Sequence, residues 1–240
     1  MAHVIVAPTV LATSEQEFRN RWSRITRASR RVQVDYMDGR FVPTVSVPLR
    51  LVPDVHPLLH DGHHEFEAHL MVRDPARWVR PLRARGFSRF IIHIETIPPR
   101  AFHELASAAR KEDAVLIAAI NPTTAIRRLG PYLRSAAGIC VLGVRPGHNG
   151  APYDQRTPER VRTIRLLCAL AGKRRPIQVD GGMTPQTVRA VVRAGAVRIN
   201  SGSYVGNAAD PTAALRAMRA AANDRTDALP ADGRRREVRR

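Results

Sequence analysis

Lysine, cysteine and aromatic residues are scarce in this 240-residue chain, and long apolar runs are missing. The only cysteines, Cys140 and Cys168, stand in apolar segments without CxxC or CxH spacing, so two reduced core thiols are expected. No stretch reaches the roughly 18 apolar residues that a membrane span needs, and the N-terminus lacks a basic region followed by a long apolar core. A soluble, unexported protein of the reducing cytoplasm is the expectation, with no membrane partner. Charge is one-sided: 39 basic residues, of which only Lys111 and Lys173 are lysine, face 21 acidic ones, a net of +18. That excess would suit a polyanion, but arginines run through nearly every predicted helix, and aromatics, 5% of the chain, are not interleaved with them as in an RNA-stacking platform. Nucleic acid is not the expected partner. The field favours anionic substrates, phosphorylated ones included.

Short apolar runs alternate with longer amphipathic ones along most of the chain. Eight strands are predicted at Val4–Ala7, Val32–Asp35, Glu65–His69, Phe90–Ile94, Val115–Ile120, Gly138–Val144, Ile177–Asp180 and Arg198–Asn200. Helix starts are marked by Ser14, Asp74-Pro75, Pro98-Pro99, Thr123, Thr157-Pro158, Thr184-Pro185 and Asp210-Pro211. A further helix near Val47–Leu59 is interrupted by prolines. Eight strands, each followed by a helix, predict a single α/β domain over residues 1–222, a closed (β/α)8 TIM barrel. Residues 223–240, with six arginines against four acids, read as a solvated, disordered tail.

Chemistry in such barrels sits at the C-terminal ends of the strands, so polar residues that end apolar strands are the ones to collect. In Val-Gln-Val-Asp at 32–35, alternation turns Gln33 and Asp35 to one face and Val32 and Val34 to the other. Strand three ends on His69, strand four carries His93 and Glu95, and strand seven ends on Asp180. Asp35, His69 and Asp180 could converge on one divalent cation, with Gln33 offering an amide oxygen. A strand-end histidine alone is more often structural; three strands together point to a site. Glycines follow in the last three loops: Gly147 and Gly150 around His148 and Asn149, then Gly181-Gly182, then Gly202 with Ser203. Backbone N–H groups there can approach a phosphate closely.

These motifs, in this order, resemble the ribulose-phosphate 3-epimerase family over about residues 5–207. Ala-Pro-Thr-Val-Leu (7–11), Val-Asp-Tyr-Met-Asp-Gly-Arg-Phe-Val-Pro (34–43), Ala-His-Leu-Met-Val (68–72), His-Ile-Glu (93–95), Asn-Pro-Thr-Thr (121–124), Val-Asp-Gly-Gly (179–182) and Gly-Ser (202–203) carry the likeness. The resemblance implies an isomerase of the pentose phosphate pathway that inverts C3 of D-ribulose 5-phosphate to give D-xylulose 5-phosphate. Asp35 and Asp180 then match the two proton-transfer carboxylates, working through an enediolate stabilised by one divalent cation. Gln33, Asp35, His69 and Asp180 match the ligand positions. Thr9, Met37, His69, Met71, Gly147, His148, Asn149, Gly150, Gly181, Gly182, Gly202 and Ser203 match positions that line the substrate.

Several positions depart from the family pattern. Leu142 stands where a third methionine is expected, Thr9 replaces a serine, and His148 and Asn149 replace an aromatic residue and a glycine. Gln33 replaces a histidine ligand. A glutamine oxygen is a harder, weaker donor than imidazole, so the preference should move from zinc toward magnesium or manganese, with iron and zinc still open. Two other readings share these residues: a hexulose-6-phosphate 3-epimerase, and a barrel that binds a phosphosugar or a partner without turning it over. Homo-oligomerisation is left open by the sequence.

Overall fold

The structure is a computed structural model, and it describes residues 3–59, 62–147 and 150–224. Eight strands, β1 (Ile5–Val10), β2 (Arg31–Met37), β3 (Glu65–Met71), β4 (Arg89–His93), β5 (Val115–Ile120), β6 (Gly138–Leu142), β7 (Ile177–Asp180) and β8 (Arg198–Ser201), run parallel and close into a barrel in sequence order. The crossovers carry α1 (Glu15–Ala28), α2 (Ala76–Arg83), α3 (Pro99–Lys111), α4 (Thr157–Leu170) and α5 (Pro185–Ala194), and α6 (Ser203–Gly206) and α7 (Pro211–Asn223) follow β8. The (β/α)8 expectation is met. Among the described residues no helix is long and apolar enough to cross a membrane. Both cysteines are free and buried.

Local chemistry explains where the helices begin. Ser14 accepts from the Glu17 N–H at the start of α1, and Glu17 reaches back to the Thr13 N–H. Asp210 accepts from the N–H groups of Thr212 and Ala213, with Pro211 at the first helical position of α7. Two of the seven crossovers between strands differ from the expectation. The segment Val47–Leu59 forms no α-helix but two 3₁₀ turns, Leu49–Leu51 and His56–Leu58, because Pro48, Pro53 and Pro57 each remove an N–H donor. After β5 the helix expected from Thr123 is a 3₁₀ segment, Ile126–Tyr132, with Pro131 inside it. His60 and residues 225–240, where most of the predicted tail falls, lie outside the described residues.

The barrel has two interiors. Between sheet and helices lies the main apolar layer, into which Val32, Val34, Phe66, Leu70, Phe90 and Ile92 project. Inside the barrel the filling is divided. Ile91, Ile117, Ala119, Cys140 and Leu142 make an apolar cluster on β4, β5 and β6. On β2, β3, β7 and β8 the buried filling is polar: Gln33, Asp35, Glu67, His69, Gln178, Asp180, Arg198 and Asn200.

Two contacts hold loops at the catalytic end and are open to test. Thr184 and Thr187 form a capping box on α5, and Thr187 Oγ1 also donates to the carbonyl of Gly182 at 2.7 Å. Thr184→Ala is expected to cost about 1 kcal/mol, read as a drop of about 2–4 °C in melting temperature by calorimetry. Glu95, at the end of β4, accepts from the Asn121 N–H and the Thr124 hydroxyl and faces His93 Nδ1 at 3.5 Å. Burial pushes the Glu95 carboxyl up, but His93 and those hydrogen bonds prevail and hold it down at about 2. Because the folded value lies below the ordinary 4.5, the stabilisation is complete above about pH 4.5 and is lost as pH falls toward 2. Urea unfolding of wild type and Glu95→Gln should show a stability gap at pH 6 that narrows steadily below pH 4.5.

Candidate active site

Parallel register brings the polar residues together in rows. Gln33 lies beside Glu67 and Asp35 beside His69 across β2 and β3, while Gln178 lies beside Arg198 and Asp180 beside Asn200 across β7 and β8. Each strand repeats every two residues, so the upper member of each pair lies at the strand end and the lower member one layer down.

In the upper layer, Asp35, His69 and Asp180 each present one ligand-type atom, all within 4.8 Å of one another, and could hold a metal ion. All three are buried. His69 Nδ1 lies 3.0 Å from Asp180 Oδ2 and 3.4 Å from Asp35 Oδ1, without a well-formed hydrogen bond to either. Two carboxylates and an imidazole nitrogen left without a proper partner fit a divalent cation. In the protein alone, burial works against a charged His69, but Asp180 and Asp35 outweigh it and raise the imidazole to about 10. Burial also raises Asp35, against the pull of His69. His69 Nε2 lies 2.9 Å from Nε2 of His93, whose own pKa is lowered chiefly by burial. A charged His69 donating to a neutral His93 satisfies that contact.

One layer down, Gln33 is completely buried and its amide nitrogen donates to Asp35 Oδ1 and to Asp180 Oδ2, both at 2.8 Å. The structure therefore turns toward the carboxylates the end of Gln33 opposite to the oxygen expected of a ligand. That oxygen accepts from Asn200 Nδ2. The same Asn200 nitrogen donates to Glu67 Oε1 at 2.8 Å. Glu67 also accepts from Arg89 Nε at 3.0 Å and Gln178 Nε2 at 3.2 Å. Burial alone would raise the Glu67 carboxyl, but Arg198 and Arg89 hold it below the usual range. The sequence reading collected none of Glu67, Gln178, Arg198 and Asn200. Their signal was present all the same, because Glu-x-His, Gln-x-Asp and Arg-x-Asn repeat the spacing of Gln33-x-Asp35.

Above the upper layer opens a cavity. Of the predicted residues, Thr9, Asp35, His69, Met71, Gly147, Gly150, Asp180, Gly181, Gly182, Gly202 and Ser203 line it. Leu142 lines it too, in the place of the absent methionine. Met37 is not among the lining residues and packs beside Val42 and Met71. His148 and Asn149 lie outside the described residues. Thr9 Oγ1 is buried without any partner in the protein. Gly182 has φ 70°, and a Cβ there would stand 2.6 Å from Tyr153 Cδ2, so the backbone after β7 comes to the cavity bare. Arg145, at the cavity wall, was not anticipated. An arginine so common in the chain carries no local signal of its own.

Comparison with known proteins agrees with this geometry. Solved structures share the fold: a 3-hexulose-6-phosphate synthase matches with a TM-score of 0.65 at 17% identity, covering 92% of this chain and 99% of the other. The 3-keto-L-gulonate-6-phosphate decarboxylase from Vibrio cholerae matches with a TM-score of 0.68 at 12% identity, covering 92% and 98%. In sequence, the chain is 28% identical to the ribulose-phosphate 3-epimerase of Synechocystis over 90% of its length and 94% of that protein. It is also 28% identical to the cytoplasmic isoform of that enzyme from Oryza sativa, over 89% and 92%. The model of the ribulose-phosphate 3 epimerase family matches residues 5–206. With its closed barrel, its Asp35, His69 and Asp180 at three strand ends, and this match over most of its length, the chain belongs to the ribulose-phosphate 3-epimerase family of carbohydrate isomerases.

Proposed function

We propose that this chain interconverts D-ribulose 5-phosphate and D-xylulose 5-phosphate by inverting C3, with Asp35 and Asp180 as the proton-transfer pair. The convergence of Asp35, His69 and Asp180 beneath a glycine-lined cavity carries this reading. A divalent cation held by Asp35, His69 and Asp180, whether magnesium, manganese, iron or zinc, would act as a Lewis acid on the C2 carbonyl and make the C3 proton removable.

The remaining steps belong to the side chains. β8 and β1 lie between β7 and β2 in the barrel, and Thr9 on β1 with Gly202 and Ser203 after β8 line the cavity there. A planar enediolate seated over those two strands has Asp35 toward one face and Asp180 toward the other. One carboxylate takes the C3 proton while the other, protonated, delivers a proton from the opposite side, and the roles exchange in the reverse direction. The Thr9 hydroxyl, unpartnered within the protein, is suited to a substrate oxygen. Met71, with Met37 beside it, offers a polarisable surface beside the intermediate. Gly181-Gly182, Gly202-Ser203 and the loop Gly147–Gly150, which includes His148 and Asn149, are assigned to the phosphate, and Arg145 adds a positive charge at the same wall. Free, buried cysteines support a cytoplasmic location as part of this proposal.

Incubation with ribulose 5-phosphate in deuterated water, with magnesium, manganese, iron or zinc supplied in turn, should give xylulose 5-phosphate carrying deuterium at C3. Absence of exchange with every metal would leave a phosphosugar-binding barrel as the better reading, and preference for a hexulose 6-phosphate would change the substrate. Asp35→Asn and Asp180→Asn are each expected to lower the rate by at least about 100-fold. Circular dichroism of both variants should remain that of wild type.

A further inference from the structure

The amide of Gln33 can face the two aspartates in only one sense, and the reason lies two residues away from it. Glu67 is buried between Arg89, at 3.0 Å, and Arg198, at 3.7 Å. A carboxylate in that setting only accepts hydrogen bonds. Asn200 must therefore turn its NH₂ toward Glu67, and its second N–H then points at Gln33. Gln33 can meet that N–H only with its oxygen, which leaves its own NH₂ for Asp35 and Asp180. Rotating the Gln33 amide by half a turn would set its oxygen against two carboxylate oxygens and its nitrogen against another nitrogen. Each wrong contact would leave a buried polar group facing its own kind with no hydrogen between them, so a single orientation dominates.

We infer that Gln33 is a positioning donor which links Asp35 and Asp180, oriented by Glu67 through Asn200, and that it is not a metal ligand. The role of the two aspartates rests on the epimerase reading; the direction of the amide does not. Two carboxylates this close repel each other unless something positive or proton-bearing stands between them. In the protein alone the two N–H groups of one amide stand there beside the His69 imidazole, whose Nδ1 lies 3.0 and 3.4 Å from the same two oxygens, and a cation would be held by three side chains of this chain. Arg198, which has hydrogens to spare in this buried layer, together with Arg89 makes Glu67 the fixed, ionised end of the relay.

The test follows the Gln33 side chain by NMR in full-length protein labelled with ¹⁵N and ¹³C and assigned through its backbone. In metal-free protein its NH₂ protons should be shifted downfield and should exchange with water on the order of a hundredfold more slowly than those of the exposed Gln16 and Gln186. Ordinary shifts with exchange like that of Gln16 would overturn the inference. Addition of zinc should move His69 Nδ1 and leave the Gln33 carboxamide carbon in place; a carboxamide carbon that moves in step with His69 Nδ1 makes Gln33 a ligand. Asn200→Leu removes the donor that orients the amide, and exchange of the Gln33 NH₂ should then accelerate about tenfold or more. An unchanged rate in a folded Asn200→Leu protein would remove Asn200 from the relay. If that variant does not fold, the wild-type spectra alone decide. No substrate is present in any of these measurements, so a failure to epimerise and a failure of the amide to donate are separate results.

Discussion

A buried carboxylate that lacks a partner is among the costliest groups a protein interior can hold, and this barrel buries three carboxylates on one side that each need partners. Asp35, Asp180 and Glu67 are each less than a tenth exposed; Asp35 is met by a donor from its own strand, and Asp180 and Glu67 are met by donors from other strands. Much of the interior arrangement follows from that need. The interior of β5 and β6 can be filled with Ile117 and Leu142, next to Ile91 of β4, because the polar groups are gathered on β2, β3, β7 and β8, with Arg89 and His93 of β4 turned toward them. There Gln33, Gln178 and Asn200 stand between charges as neutral relays. Each amide offers both donors and an acceptor, which lets it join a carboxylate on one side to another polar group on the other.

Function grows out of the same constraint. The lower layer, with Glu67 between Arg89 and Arg198, is saturated: its charges are matched and its amides have one favoured direction. In the upper layer, His69 Nδ1 and Thr9 Oγ1 lack proper partners, and the cavity opens directly over them. Fully paired polar groups below and underpaired ones above are what a site needs to hold its geometry while keeping places free for a substrate. The bare backbone at Gly182 completes the opening, since a side chain there would collide with Tyr153.

Much of this was legible in the residues and some was not. The two-residue alternation of β2 put Gln33 and Asp35 on one face, and the strand-end rule collected His69 and Asp180, which the structure brings together. The same alternation in β3, β7 and β8 implied an inward Glu67, Gln178 and Arg198, but only strand ends were searched, so the supporting layer went unread. The helix expected at Val47–Leu59 is absent because three prolines outweigh the length of the crossover. The helix expected from Thr123 shortened to a 3₁₀ segment, since Pro131 interrupts the hydrogen-bond ladder where a second turn would form.

Alternation of apolar and polar residues, proline and cap signals, and the order of motifs were enough to determine the barrel, the family and the two aspartates, because each depends on chemistry within a few residues of itself. The direction of the Gln33 amide could not be determined that way. Oxygen and nitrogen ends are equivalent in a sequence, and the choice between them is made by Glu67 on β3, which acts through Asn200 on β8. Only closure, which places β8 against β1 and so brings Asn200 within reach of β2 and β3, decides whether that glutamine offers a lone pair or a hydrogen.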